Sequence, residues 1–241
     1  MKSFSNTYIF VFSALMVIIV ATLLSFVSEQ LRPIQEKNVE VEKKLDILRS
    51  VGIARDIDEV KNKNEYVEQI YAEEIDSTLV INTEGEVQEG VEAFSVDLKI
   101  ELTRKPEERN LPIFIHTTEQ GKEIFIVPLQ GKGLWGPIWG YVSFEPDLST
   151  IYGAIFSHAK ETPGLGAEID EFWFQEQFFG KTVFNEAGEF TSISVLKAGA
   201  DPDDLHAVDA ISGGTITSVA VENMMKECIG NYRDFFNKHS N

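Results

Sequence analysis

The chain has 241 residues, of which 43% are hydrophobic and 25% are charged, which is typical of a folded globular protein and excludes fibrous or low-complexity classes. At roughly 150 residues per domain, this length predicts one or two domains. The 39 acidic residues outnumber the 21 basic ones, and the resulting net charge of −18 repels phosphate backbones and argues against nucleic acid as a partner.

The first predicted element is an uncharged run over residues 8–27. A helix of that length spans about 30 Å, which matches the hydrocarbon core of a bilayer. A cleaved signal peptide is the alternative, but its apolar part is shorter and ends in small residues, whereas this run ends in Ser25-Phe26-Val27. The sequence therefore favours a retained membrane anchor within residues 1–30.

The basic residues near this run give a weak indication of its orientation. Lys2 precedes the run, and four basic residues follow it: Arg32, Lys37, Lys43 and Lys44. This count would place the following domain in the cytoplasm, although long domains translocate largely regardless of charge.

Residues 31–76 are predicted to form a helical juxtamembrane segment. Apolar residues recur at helical spacing after Pro33 and predict an amphipathic helix over residues 34–48. The charged stretch 56–74 predicts a second helix or a solvated connector.

Residues 77–241 are predicted to form an α+β domain, because the apolar period changes to two from Thr78 onward. A hairpin turn is predicted at 117–122. Strands are predicted over 79–81, 94–102, 113–116, 124–127, 138–144, 151–157 and 192–196. Helices are predicted from Glu168 to Gly180 and, with an amphipathic pattern, over 216–236.

The polar turn DAISGGTITS, residues 209–218, precedes the last predicted helix. Free N–H groups and the positive end of a helix dipole make such a turn a suitable seat for a phosphate. Gly213 and Gly214 allow close approach to the backbone, and Ser212, Thr215 and Thr217 supply hydroxyl groups. On the residues alone, ordinary capping of the helix by Ser or Thr is the alternative.

This turn resembles the flavinylation motif Asp-x-x-Ser/Thr-Gly-Ala-Thr of the FMN-binding domain family. The matching residues are Asp209, Ser212, Gly213, Gly214 and Thr215. The resemblance implies that a flavin transferase joins FMN through its phosphate to Thr215, with Thr217 as the alternative acceptor. Gly214 replaces the usual alanine; the smaller residue is expected to fit, while glycine weakens the first helical turn by up to about 1 kcal/mol.

Two further segments resemble one branch of that family. HAKETPGLG, residues 158–166, is similar to a signature shared by the NqrC subunits of Na⁺-translocating NADH:quinone oxidoreductases and the G subunits of Rnf electron-transport complexes. GKGLWGP, residues 131–137, resembles a segment of the Na⁺-pumping branch. Because the anchor and all three motifs follow the order found in that branch, the chain is identified as a member of the NqrC family, with the Rnf type as the alternative.

The resemblance also implies which residues contact a flavin. The positions of Leu134, Thr162 and Leu165 lie against the flavin in the family. Backbone N–H groups of the turn over residues 162–165 are suited to hydrogen-bond the carbonyl edge of the flavin ring. On the residues alone, two core leucines beside a Pro-Gly turn are the alternative, and Glu161 is expected to cap that turn. The expected cofactor-binding residues are Leu134, Trp135, Thr162, Gly164, Leu165, Ser212, Gly213, Gly214 and Thr217.

In functional terms, the resemblance implies a protein that relays electrons between redox centres towards ubiquinone, within a complex that exports Na⁺. Its partners would be the other subunits, the flavin transferase and the membrane. The family places the domain on the periplasmic side of the bacterial inner membrane, on a single span with Lys2 inside, which outweighs the charge count.

Other chemistry finds little support in the sequence. Cys228 is the single cysteine, so a redox role needs an organic cofactor. The four histidines lack zinc-site spacing, and nucleotide-binding glycine motifs for NADH or ATP are missing, so neither a metal site nor a catalytic residue is assigned. A non-redox, membrane-anchored binding module is the competing hypothesis from another class.

Overall fold

The computed structural model describes residues 5–55, 57, 60–197 and 199–239. By their contacts, the residues divide into two compact units, the first ending at Lys43 and the second beginning at Lys44. Lys2, which bears on the orientation, lies outside the described residues. The predicted division into residues 1–30, 31–76 and 77–241 stays a prediction.

Helix α1 runs from Asn6–Ser50 without interruption. It is long and apolar enough to cross a membrane, as the uncharged run predicted. The helix predicted over residues 34–48 is confirmed as helical, and it is continuous with the apolar run because α1 continues through Pro33. Arg32, next to this proline, pairs with Glu29 at 3.4 Å and with Glu36 at 3.5 Å at helical spacing.

Five strands of the second unit form one antiparallel sheet in the order β1-β2-β3-β4-β5. The strands are β1 Ser77–Ile81, β2 Leu111–Thr117, β3 Glu123–Lys132, β4 Pro137–Phe144 and β5 Ile151–His158. Each overlaps a predicted strand, and β2 and β3 form the predicted hairpin, closed by the Thr118 N–H donating to the Lys122 carbonyl at 2.9 Å. Alternation of apolar residues was sufficient to locate this sheet.

A second, two-stranded sheet pairs β6 Ser194–Leu196 with β7 Ala207–Asp209 in parallel. The sequence predicted β6 but not β7, because a strand of three residues is too short to show a period.

The strand predicted over 94–102 is wrong, because this stretch holds a 3₁₀ turn at Ala93–Ser95 and helix α3 at Leu98–Glu101. The Asp97 carboxylate accepts the Lys99 N–H at 3.0 Å, and this cap turns the chain into a helix where the apolar residues alone suggested a strand.

The remaining helices are α2 Lys63–Glu74, α4 Phe172–Gln175, α5 Thr215–Gly230 and α6 Arg233–His239. Positions 56, 58 and 59 of the charged stretch before α2 lie outside the described residues. The helix predicted from Glu168 to Gly180 is instead α4 between two 3₁₀ turns, and the predicted C-terminal helix is interrupted between α5 and α6. The α+β class is confirmed.

Helix α5 lies against β3 and is fixed there by its buried face. Cys228 Sγ lies 3.3 Å from both the backbone N and O of Gln130. Beyond α5, the buried Tyr232 hydroxyl donates to the Pro112 carbonyl at 3.0 Å. Burial raises the pKa of the Cys228 thiol to about 12 and raises that of Tyr232 well above its ordinary value. This packing fixes the C-terminal half of α5 and thereby the position of its first turn.

Candidate functional site

Three segments that are distant in sequence meet at one cavity of about 130 Å³. They are the loop between β3 and β4, the loop after β5, and the first turn of α5. The cavity is lined by Leu134, Trp135, Glu161, Thr162, Leu165, Gly166, Gly213, Gly214, Thr215, Ile216 and Thr217.

The first turn of α5 supplies the polar wall of the cavity. Gly214 precedes the helix without a side-chain cap, and Gly213 has a φ of +77°, a conformation that favours glycine. The first helical hydrogen bond runs from the Ser218 N–H to the Gly214 carbonyl at 2.9 Å. The N–H groups of residues 215–217 therefore have no partner within the helix and form its positive end. Capping of this helix by a Ser or Thr side chain, the alternative from sequence, is wrong.

The hydroxyl groups of this turn differ in exposure. Thr215 is half-buried at the cavity wall, and Ser212 is exposed outside the cavity lining. Thr217 is only 1% exposed, and its hydroxyl donates to Glu161 Oε2 at 2.7 Å. Of the three hydroxyls, Thr215 alone both lines the cavity and is open to a reagent from solvent.

Large apolar side chains stand exposed at the rim of the cavity. Leu134 is 47% exposed, Trp135 63% and Leu165 42%. Burying such side chains is favourable, so their exposure around one cavity is typical of a binding surface. The alternative in which Leu134 and Leu165 are core residues is therefore wrong.

Glu161 lies beneath the cavity and is 5% exposed. Its Oε1 accepts the Trp135 N–H at 2.8 Å, and its Oε2 accepts the Thr217 hydroxyl. The expectation that Glu161 caps its own turn is wrong, because its carboxylate binds the two other segments. Glu168 has that role, since its Oε1 accepts the Gly164 N–H at 3.0 Å.

Gly214 is required by close approach of the neighbouring loop. A Cβ at this position would lie 2.8 Å from the Leu165 carbonyl oxygen and 2.9 Å from its carbon. A smaller residue than alanine therefore does fit here, and in this chain the loop has closed onto the space that an alanine methyl would fill.

Most of the expected site residues converge on the cavity. Eight line it: Leu134, Trp135, Thr162, Leu165, Gly213, Gly214, Thr215 and Thr217. Gly164, Ser212 and Asp209 lie outside the lining; Gly164 forms the turn with a φ of +75°, and Asp209 Oδ1 accepts the Ala200 N–H at 2.5 Å. Sequence reasoning missed Gly166, Ile216 and the part played by Glu161. The only sequence signal for these three residues is that they lie within the segments 158–166 and 209–218.

The described part of the chain holds no group of three or more His, Cys, Asp or Glu side chains placed to bind a metal ion.

Comparison with known proteins gives consistent matches. The family model for the FMN-binding domain matches residues 133–230. The chain is 31% identical over 215 residues to NqrC of the Na⁺-translocating NADH-quinone reductase of Haemophilus ducreyi, covering 83% of this chain and 80% of that protein. It is 32% identical to the corresponding protein of Neisseria meningitidis serogroup A, covering 98% and 94%.

Two crystal structures share the fold. NqrC from Parabacteroides distasonis superposes with a TM-score of 0.74 at 40% identity, covering 86% of this chain and 96% of that chain. NqrC from Shewanella oneidensis gives a TM-score of 0.69 at 26% identity, covering 83% and 96%. The resemblance found in the sequence motifs is confirmed. The chain belongs to the NqrC family of Na⁺-translocating NADH-quinone reductase subunits.

Proposed function

We propose that this chain carries FMN as a phosphodiester on Thr215 and relays electrons between redox centres towards ubiquinone, as part of a complex that exports Na⁺. The observation that carries this proposal is the half-buried Thr215 hydroxyl on the cavity wall, at the positive end of α5. Unpaired N–H groups at a helix N-terminus favour a phosphate at that point. The match to the FMN-binding domain, which includes this turn, supports the same cofactor.

Formation of the ester requires an FMN group activated as a dinucleotide. The bond between Thr215 Oγ1 and phosphorus forms, and the bond from phosphorus to the leaving nucleotide breaks with its electron pair. The hydroxyl proton goes to a base of the flavin transferase. Thr215 is accessible for this reaction, whereas Thr217 is buried and engaged with Glu161, so we assign Thr215 rather than Thr217 as the acceptor.

The residues of the cavity fit an isoalloxazine ring as well as a phosphate. Leu134 and Leu165 offer exposed apolar surface suited to the ring faces, with Trp135 beside them. A bound flavin would supply the electron-accepting and electron-donating chemistry that this single-cysteine chain lacks. The chain's own residues would bind the group and orient it.

We also propose that α1 anchors the chain in the bacterial inner membrane, with the flavin-bearing unit on the periplasmic side. The helix is long and apolar enough to cross the bilayer, and the relatives are subunits of a reductase named for Na⁺ translocation. The partners of the chain would be the other subunits of that complex. NADH oxidation is not expected from this chain by itself.

The test replaces Thr215→Ala in the full chain, produced in cells that also make the flavin transferase. After denaturation, the wild-type chain should remain yellow and its peptide spanning 209–218 should carry the mass of FMN less water. The Thr215→Ala chain should be colourless and unmodified, while the control Thr103→Ala, which changes a distant exposed threonine, should keep the label. Bound FMN on denatured Thr215→Ala protein would refute the assignment.

A further inference from the structure

We infer that Glu161 is a positioning residue, whose buried carboxylate holds the three cavity segments together and sets the charge beside the flavin. This inference rests on the proposed function, because the flavin on Thr215 is what the cavity would receive. Glu161 itself is assigned no bond to the flavin.

Each oxygen of the carboxylate binds a different segment. Oε1 accepts the backbone N–H of Trp135, in the loop between β3 and β4, at 2.8 Å. Oε2 accepts the hydroxyl of Thr217, in the first turn of α5, at 2.7 Å. Since Glu161 begins the third segment, its side chain connects all three walls. Hydrogen bonds to a charged acceptor are roughly twice as strong as neutral ones, so these two bonds should stabilise the arrangement of the three segments.

Two glycines make room for this carboxylate. A Cβ on Gly133 would lie 2.5 Å from Glu161 Oε1, and a Cβ on Gly166 would meet first Thr217 Oγ1 and then, at 2.6 Å, Glu161 Oε2. Real Cβ atoms do not approach other atoms so closely, so any side chain at either position would displace the carboxylate. Gly133 of the GKGLW motif and Gly166 of the ETPGLG motif are therefore explained by the Glu161 carboxylate and its partner Thr217, independently of any contact with a flavin.

The His158 side chain binds the backbone of Glu161. Its Nδ1 accepts the Glu161 N–H at 3.2 Å, which places the ring proton on Nε2. That Nε2 lies 3.3 Å from Asp170 Oδ2, a suitable acceptor for the proton. Asp170 and His158 thus fix the residue at which the third segment begins.

The two donors that bind the Glu161 carboxylate are neutral, so they do not cancel its negative charge. In a buried site, where the dielectric is lower than in water, such a charge opposes the addition of electrons to a nearby flavin. Removing the charge should therefore make the reduction potential of the flavin more positive, a change that loss of packing alone does not predict.

The experiment measures the flavin reduction potential and the time course of flavin attachment in the full chain made with its transferase. Glu161→Gln keeps the side-chain shape and removes the charge. We expect at least a tenfold rise in the ratio of reduced to oxidised flavin at a fixed potential, about 59 mV for one electron, and slower attachment. Glu161→Asp keeps the charge but not the reach, and should slow attachment with a smaller change in potential.

Glu101→Gln is the matched control. Glu101 is a buried carboxylate whose Oε2 accepts the Asn110 N–H at 2.9 Å, and it does not line the cavity. It should lose stability while its flavin potential and attachment stay as in the wild type. A wild-type potential and attachment rate in Glu161→Gln, or an equal change in Glu101→Gln, would overturn the inference.

A second measurement separates this inference from the proposed function. In the full-length Thr215→Ala background, urea unfolding is compared for Glu161→Ala, Thr217→Val and the double variant. The combined effect of the double variant on the unfolding equilibrium constant should be at least tenfold smaller than the product of the two single effects, because both variants break one contact. Strictly additive effects would contradict the inference even where the flavin assignment holds, and coupling would support the positioning contact even where FMN proves to be attached elsewhere.

Discussion

The two ends of helix α5 are held in opposite ways. At its C-terminal half, Met224, Cys228 and Ile229 are fully buried against the sheet. At its first turn, Ile216 is 63% exposed and Thr215 is half-buried. The buried contacts there are polar: the Thr217 hydroxyl donates to the Glu161 carboxylate, and the Ser218 hydroxyl accepts the Ile211 N–H at 3.0 Å. One end is held by apolar packing and the other by a polar contact to a loop.

This difference explains how one helix serves both stability and a binding site. Apolar burial contributes most of the folding energy and needs no precise partner, so it fixes the helix against β3. A polar contact is directional and fixes the orientation of the first turn, where Thr215 stands. The first turn of α5 can therefore line an open cavity and bury little apolar surface, because apolar packing at the other end holds the helix in place.

The largest expected effect is at the buried end. Ile229→Ala should lower the free energy of unfolding by about 2–5 kcal/mol, because it leaves a cavity in the core. Chemical denaturation of the full chain in detergent measures this change. Ile216→Ala, the same substitution at the exposed end, should change stability by no more than about 0.5 kcal/mol. Equal losses from the two variants would contradict the comparison.

At the polar end, Thr217→Val should lower the free energy of unfolding by about 1–3 kcal/mol. The substitution keeps the shape of the side chain but leaves Glu161 Oε2, a buried charged acceptor, without its donor. Thr217→Ser, which retains the hydroxyl, should recover most of the loss in the same denaturation experiment. Failure of serine to recover it would show that the methyl group, not the hydrogen bond, matters.

A buried hydroxyl just beyond the other end of α5 provides a neutral counterpart. Tyr232→Phe removes the donor to the Pro112 carbonyl and should cost about 1 kcal/mol, because the acceptor left behind carries no charge. The same denaturation measurement should therefore rank Thr217→Val above Tyr232→Phe. A reversed order would mean that the Glu161 contact is weaker than its geometry indicates.

The smallest effect is a pH dependence of the buried end. Burial raises the pKa of the Cys228 thiol from its ordinary value of 9.0 to about 12. The folded state therefore retains this proton where the unfolded state loses it, so stability is full below about pH 9 and falls as the pH rises towards 12. Between pH 8 and pH 10 this thiol should account for a loss of about 1 kcal/mol.

Cys228→Ala is the control for that measurement. It should lower stability at neutral pH but flatten the fall between pH 8 and pH 10. Tyr71, Tyr141 and Tyr232, whose pKa values burial also raises, add their own losses as the pH approaches and passes 10, so the contribution of the thiol is the difference between the wild-type and Cys228→Ala chains. An equally steep fall without the thiol would assign the pH dependence to other groups.

Local patterns determined much of this protein from the sequence alone. The uncharged run predicted the long apolar helix, the period of two predicted the five strands of the main sheet, and the Gly-Gly turn predicted the start of α5. These features depend on neighbouring residues, whose sterics and hydropathy act over a few positions. One of the errors has a local cause, since the Asp97 cap outweighed the signal that apolar spacing provides.

Only the tertiary structure decided how the motif segments meet. No periodicity indicates that the Glu161 carboxylate accepts from Trp135 and Thr217, that Thr217 is buried while Thr215 is open, or that Leu165 closes onto Gly214. These contacts join positions tens of residues apart, and they exist because the sheet register and the packing of α5 bring their backbones together. Side-chain partners at such distances follow from the whole fold, which local sequence patterns do not encode.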